Sequence, residues 1–360
     1  MLLAIVLLSI ALAWVNGLQD APNAITTSIV TKSLSERTAL AYAAVLNVAG
    51  VLAGVVLFAF THATLLSMLG LPAFVAEAGE RIEVVLVGAL IVTIAWSLAA
   101  WWAGMPVSGW SSALSALAGG TASVGLGTVP LGVIAAAMVP IVLSPLLGGG
   151  LSFVLTRAIQ GLRSKRLVTF PAMRSAQTLS AGLVAAGHGI SNGRMPMGFI
   201  VLALMAQAES GAAGPGTAGQ ESSGPTAAFD PAPLAQSVSG VPIPPWVVVL
   251  VALAMGLGTY AGGRRIIHTL GRKLTDLTAA QGLAAESSTA ALMYVASMGL
   301  GVPVSSSQTI TGSIVGSALA LSRRAVAWPV FGRIFAWWVA TPLVAAMGGA
   351  ALAFILARVV

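Results

Sequence analysis

Apolar windows without a single Asp, Glu, Lys or Arg recur along the chain, at Leu2–Gln19, Thr38–Ala76, Val84–Thr156, Pro242–Gly263 and Ser287–Ser322. Several exceed the roughly 20 residues needed to cross a bilayer core, and none alternates as a half-buried strand would. The pattern predicts about ten spanning or hairpin segments, near residues 2–30, 38–60, 84–103, 105–126, 128–156, 175–207, 244–262, 286–300, 303–321 and 326–357. The fold class is an all-α polytopic membrane protein. Pro22 and Pro342 fall inside the first and last segments, which predicts a break in each and raises the helix number to about twelve. The stretch 208–245, rich in Gly, Pro, Ser and Ala, reads as a flexible extracytoplasmic loop within the protein, not as a domain.

Composition agrees: 57% of residues are apolar and only 8% charged, against about 25% charged in a soluble domain. The first 15 residues lack the basic start and small-residue cleavage site of a signal peptide and read as the first membrane segment. Without cysteine there is no disulfide framework, thiolate metal site or thiol nucleophile. The net charge of +7 does not point to nucleic acid, because the bases sit in short loops, as they do on the cytoplasmic side of a membrane protein. Arg157, Arg163, Lys165, Arg166 and Arg174 share one such loop; Arg264, Arg265, Arg272 and Lys273 share another, beside Asp276; Arg323 and Arg324 form a third, and Lys32 and Arg37 a short turn. The acidic stretches 61–83 and 208–242 fall outside, and both termini are expected outside. A multi-pass protein of the cytoplasmic membrane follows, its first partner the lipid bilayer.

Two motif pairs indicate an internal repeat. Asn16-Gly17-Leu18-Gln19-Asp20 resembles His188-Gly189-Ile190-Ser191-Asn192, and Gly104-Met105-Pro106-Val107-Ser108 resembles Gly301-Val302-Pro303-Val304-Ser305. Basic loops in one half match acidic loops in the other, so the halves have opposite orientation. Residues 1–157 form the first inverted repeat, 158–174 a basic cytoplasmic linker, and 175–360 the second repeat. Such repeats are typical of secondary transporters, which hold their substrate at the midplane between broken helices.

Charges inside the apolar segments are few. An acid at a helix centre costs about 2.5–3.5 kcal/mol to insert, so Asp20 is a functional candidate, with a helix-capping role as the alternative. Asn23, three residues on, shares its helix face, and the two could bind a cation through oxygens. Ser305, Ser306, Ser307 and Gln308 follow Pro303, which can sit in a first helical turn, where free N–H groups, hydroxyls and the helix dipole make an anion site. Ser108 occupies the matching place in the first half. Glu286 is read at a cytoplasmic helix start, either capping or coupling; Arg194 pairs with substrate or an acid; His188 is either packed or a proton carrier. Trp101-Trp102 and Trp337-Trp338 read as interfacial or packing aromatics.

Asn16–Ile25, His188–Gly198 and the two Pro-Val-Ser segments resemble the duplicated signatures of the phosphate inorganic transporter (PiT) family; Ala95-Trp96, Trp101-Trp102 and Gln281–Ser287 look like further landmarks. The likeness spans nearly the whole chain. It implies uptake of inorganic phosphate with a coupling cation, proton or sodium, and no other cofactor. It also implies one shared site built by both repeats, in which Asp20 and Asn23 match the family's conserved pair and Ser305–Ser307 its hydroxyl-rich anion site. Departures are specific. Ser191-Asn192 stands where the family usually has Asn-Asp, Gly109-Trp110 where Ser or Thr is usual, and Gln19 and Gln308 where histidine is common. One buried carboxylate is thus missing, which favours a proton over sodium. A permease for sulfate is the alternative; sulfate has no proton to donate to Asp20, whereas phosphate does. A membrane-embedded hydrolase would need a metal or nucleophile constellation, and neither His-Glu-x-x-His nor Cys occurs. A passive channel suits broken midplane helices poorly. Homo-oligomerisation is left open by the sequence.

Overall fold

The computed structural model describes residues 1–57, 81–126, 129–212, 243–299 and 304–359. Among these the regular elements are all helical. They run α1 (Leu2–Val30), α2 (Glu36–Leu57), α3 (Arg81–Ala103), α4 (Gly109–Ser123), α5 (Leu131–Ser164), α6 (Phe170–Asn192), α7 (Arg194–Ala212), α8 (Pro245–Ala261), α9 (Arg264–His268), α10 (Ala279–Leu292), α11 (Ser306–Leu319) and α12 (Trp328–Val359). Wider turns, Thr269–Lys273 and Met293–Gly299, extend α9 and α10. Among the described residues α1, α2, α3, α5 and α12 are long and apolar enough to cross a membrane; α8 and α9, bent by 51° at their junction, make a sixth crossing if taken together. The protein is a polytopic membrane protein.

The helices of segments 105–126 and 303–321, α4 and α11, have 15 and 14 residues, about 21–23 Å at 1.5 Å per residue and short of a 30 Å hydrocarbon core, whereas α10 with its wider turns runs on from Ala279 to Gly299. Conversely, the first and last segments are unbroken: Pro22 lies inside α1 and Pro342 inside α12. Proline deprives the Leu18 carbonyl of its usual partner. Gly263 packs on that spot, so closely that a Cβ there would stand 2.9 Å from the Leu18 oxygen and 2.3 Å from Pro22 Cγ. The break falls instead in segment 175–207, at Gly193 between α6 and α7. Of the stretch expected to be a loop, 208–212 belong to α7 and 213–242 lie outside the described residues, as do 58–80 and Pro303. Helix α4 starts three residues beyond Pro106, so that proline does not sit in its first turn.

Packing crosses between the halves of the sequence: α1 lies on α8 and α6 on α2, α4 on α12 and α11 on α5. Small residues allow backbone to meet backbone, Gly17 against the Met255 carbonyl, Gly119 against that of Ala346, and Gly316 against that of Gly149. Helix α11 leads towards Arg323, whose carbonyl accepts from Trp328 Nε1 at the start of α12, whereas α4 leads towards Gly349 and Ala353 near the end of α12. The two short helices therefore leave the protein centre in opposite directions.

Candidate functional site

The N-termini of α4 and α11 meet at the middle of α1. Ser108 caps α4 by accepting from the Ser111 N–H, and Ser305 caps α11 by accepting from the Gln308 N–H. The Ser305 N–H itself donates to Ser144 Oγ of α5 at 3.2 Å, and buried Trp338 donates from Nε1 to the Pro106 carbonyl at 2.8 Å, so both approaches to the caps are anchored.

Between these ends Asn16, Asp20, Ser108, Gly109, Trp110, Asn192, Met195 and Val304–Ser307 enclose a cleft. Asp20 is the only ionisable side chain among the described residues that line it. Its Oδ1 accepts from Asn23 Nδ2 at 2.9 Å and from Ser307 Oγ at 3.4 Å, and its Oδ2 accepts from Asn192 Nδ2. Asn23 Nδ2 also donates to Ser307 Oγ at 2.8 Å, and its own buried Oδ1, like Gln308 Oε1, has no hydrogen-bond partner among the described residues. The capping alternative for Asp20 is removed, because α1 runs unbroken through it. The cleft's free volume is about 10 Å³, close to the roughly 10–15 Å³ one buried water needs.

Of the sequence candidates, Asp20, Ser108, Asn192, Ser305, Ser306 and Ser307 line the cleft, and Asn23 bonds directly to two of them. Gln308 supports it through its backbone at the Ser305 cap. Ser191 bonds back to the Gly187 carbonyl, and Arg194, buried at the start of α7, does not line the cleft. His188 Nδ1 lies 3.4 Å from Asn192 Nδ2, one step removed from Asp20.

Glu286 occupies a second polar cluster. It is not at a helix start: α10 begins seven residues earlier, under a capping box of Thr278 and Gln281, because the small residues before Glu286 are themselves helical. Fully buried, it accepts at Oε1 from Thr27 Oγ1 and from Ser28 Oγ of α1, while Oε2 has no partner among the described residues. Gln177 of α6 donates to Thr27 Oγ1 at 3.3 Å and accepts from Thr31 and Ser33. Thr27, Ser28, Gln177 and Asn16 were not singled out from the sequence, although Asn16 and Thr27 stand four residues before and seven after Asp20, on its own helix face.

Comparison with known proteins gives a consistent result. The pattern of the phosphate transporter family matches residues 16–173 and 163–349. The chain is 35% identical to the probable low-affinity inorganic phosphate transporter of Mycobacterium bovis over 97% of this chain and 76% of that protein. It is 31% identical to the protein of the same description in Bacillus subtilis, over 98% and 96%. A solved structure, described as the sodium-dependent phosphate transporter, shares the fold with a TM-score of 0.75 at 20% identity, covering 100% of this chain and 99% of that one. Residues 16–349 thus carry the pattern almost end to end, and the chain, a transporter and not an enzyme, belongs to the phosphate transporter family.

Proposed function

We propose that this chain is a secondary active transporter of the cytoplasmic membrane that imports inorganic phosphate together with one proton, the two halves of the sequence acting as inverted repeats. The observation that carries the reading is the single carboxylate of the cleft, Asp20, held by the neutral amide of Asn192 and facing the N-termini of two short helices. Each N-terminus supplies roughly half a positive charge. Monovalent phosphate beside a protonated Asp20 is then near neutral, whereas ionised Asp20 repels the anion. Protonation of Asp20 and phosphate binding therefore favour each other, which is the requirement for symport.

Asp20, Asn23 and Thr27 follow one another along one face of α1, and Thr27 lies about 10 Å further along the axis than Asp20. From Thr27 the polar seam continues through Glu286 and Gln177 to Ser33 and the basic turn before α2. This seam is the proton's way to the cytoplasm, with Glu286 as the second carrier. One observation favours sodium as the alternative coupling ion: the unpartnered oxygens of Asn23 and Gln308 are ligands a sodium ion would accept.

Purified protein in proteoliposomes, given labelled phosphate or labelled sulfate under an inward proton gradient, tests the substrate. Phosphate should accumulate against its gradient and excess sulfate should leave the rate unchanged. Accumulation of sulfate without phosphate would overturn the assignment.

A further inference from the structure

Away from the cleft, an apolar groove of about 550 Å³ runs between α5, α11 and the first turns of α12. That is within the roughly 300–1,000 Å³ of ligand clefts. Its floor is glycine: Gly149 and Gly316 touch backbone to backbone, and a Cβ on Gly150 would meet nothing within 4 Å. Phe153, Trp328 and Phe331 form its walls. The groove thus exists because side chains are missing from one face of α5.

One end of this groove is basic. The Arg157 guanidinium carbon lies 5.7 Å above the Phe153 ring, at the end where α5 leaves the apolar region. Trp328 bonds to the Arg323 carbonyl, which brings Arg323 and Arg324 to the same rim, just beyond Leu319 of α11. All three arginines are exposed, and among the described residues none of them pairs with a carboxylate. By the charge rule this rim lies at the cytoplasmic leaflet, where anionic lipids concentrate and where basic pockets between spanning helices bind their headgroups.

We propose that the groove is a binding site for one anionic phospholipid, an acyl chain lying over Gly149 and Gly150 and the headgroup phosphate held by Arg157, Arg323 and Arg324. A second copy of this chain is the poorer occupant. Two-fold pairing through this face would set the same arginines of both subunits against each other at one depth in the membrane. The lipid has a place to act, because the floor of the groove is the contact between α5 and α11, and α11 carries Ser305–Ser307.

The test is native mass spectrometry of the full chain in detergent with equimolar phosphatidylglycerol and phosphatidylcholine. Because the arginines attract the net negative headgroup, phosphatidylglycerol should be retained at least about tenfold better than phosphatidylcholine. Gly150→Leu, which projects into open space and fills the groove, should lose the bound lipid of either kind. Arg157→Ala combined with Arg323→Ala and Arg324→Ala should retain both lipids equally. Equal retention of the two lipids by the unmodified protein would overturn the proposal. So would Gly150→Leu binding phosphatidylglycerol as before, or Gly150→Leu converting a dimer to a monomer without changing lipid retention.

Discussion

The two walls of the cleft are built from related motifs and differ in charge. On one side α1 brings Asp20 and Asn23 to Ser305, Ser306 and Ser307 of α11; on the other α6 brings Asn192, and α4 brings Ser108 followed by Gly109 and Trp110. The first wall has a carboxylate and three hydroxyls, the second an amide, one capping hydroxyl and an indole. Both helix N-termini are retained. Both walls thus present a helix N-terminus, while the carboxylate and most of the hydroxyls are concentrated on one.

The largest expected effect comes from removing the charged side of this contrast. Asp20→Asn should abolish accumulation of phosphate against a gradient, with the protein still folded and inserted, because the amide fills the same volume; labelled uptake together with size-exclusion chromatography checks both. Making the walls alike is the next step. Asn192→Asp replaces a donor to Asp20 with a second carboxylate in contact with it, and two such groups cannot both stay ionised without a cation. A second carboxylate that stays ionised repels the anion, by about 4 kcal/mol at about 4 Å and an effective dielectric of about 20. Proton-driven uptake should fall at least about tenfold and become stimulated by sodium, read as the rate at fixed pH with and without sodium.

Smaller effects follow from the hydroxyls. Ser307→Ala removes partners of both Asn23 and Asp20, Ser306→Ala only a lining hydroxyl. Each should raise the phosphate KM by about two- to tenfold, Ser307 more than Ser306, in initial-rate measurements. Smallest is Gly109→Ser, which adds a hydroxyl to the poorer wall. Its Cβ would come 3.2 Å from Asn16 Oδ1, so Asn16 must give by a few tenths of an ångström. The KM should change by no more than about twofold, within what one exposed hydrogen bond is worth.

Much of the cleft was legible because its motifs are duplicated. Asp20, Asn192, Ser108 and Ser305 are four corners found by comparing short segments, and a Ser at a helix start has a local reason to be there. Continuity of α1 through Pro22 was not legible. Gly263, far along the sequence, packs closely against Pro22 and the Leu18 carbonyl at that point. The surroundings of Glu286 were hidden for the same reason: its partners Thr27 and Ser28 lie 259 and 258 residues away. Its place within α10 is not marked in the sequence, because the charge stands at the edge of an apolar window while the preceding Ala279–Ala285 run is already helical and buried for the most part. The short helices α4 and α11 were legible from the two Pro-Val-Ser motifs and not from hydropathy, which runs on through them.

The coupling role of the lone carboxylate is tested most directly by phosphate accumulation in proteoliposomes of the unmodified protein, with a proton gradient or a sodium gradient imposed separately and all else fixed. A proton gradient without sodium should drive labelled phosphate above its equilibrium level, and a sodium gradient at equal pH on both sides should not. Accumulation only with sodium would contradict proton coupling through Asp20.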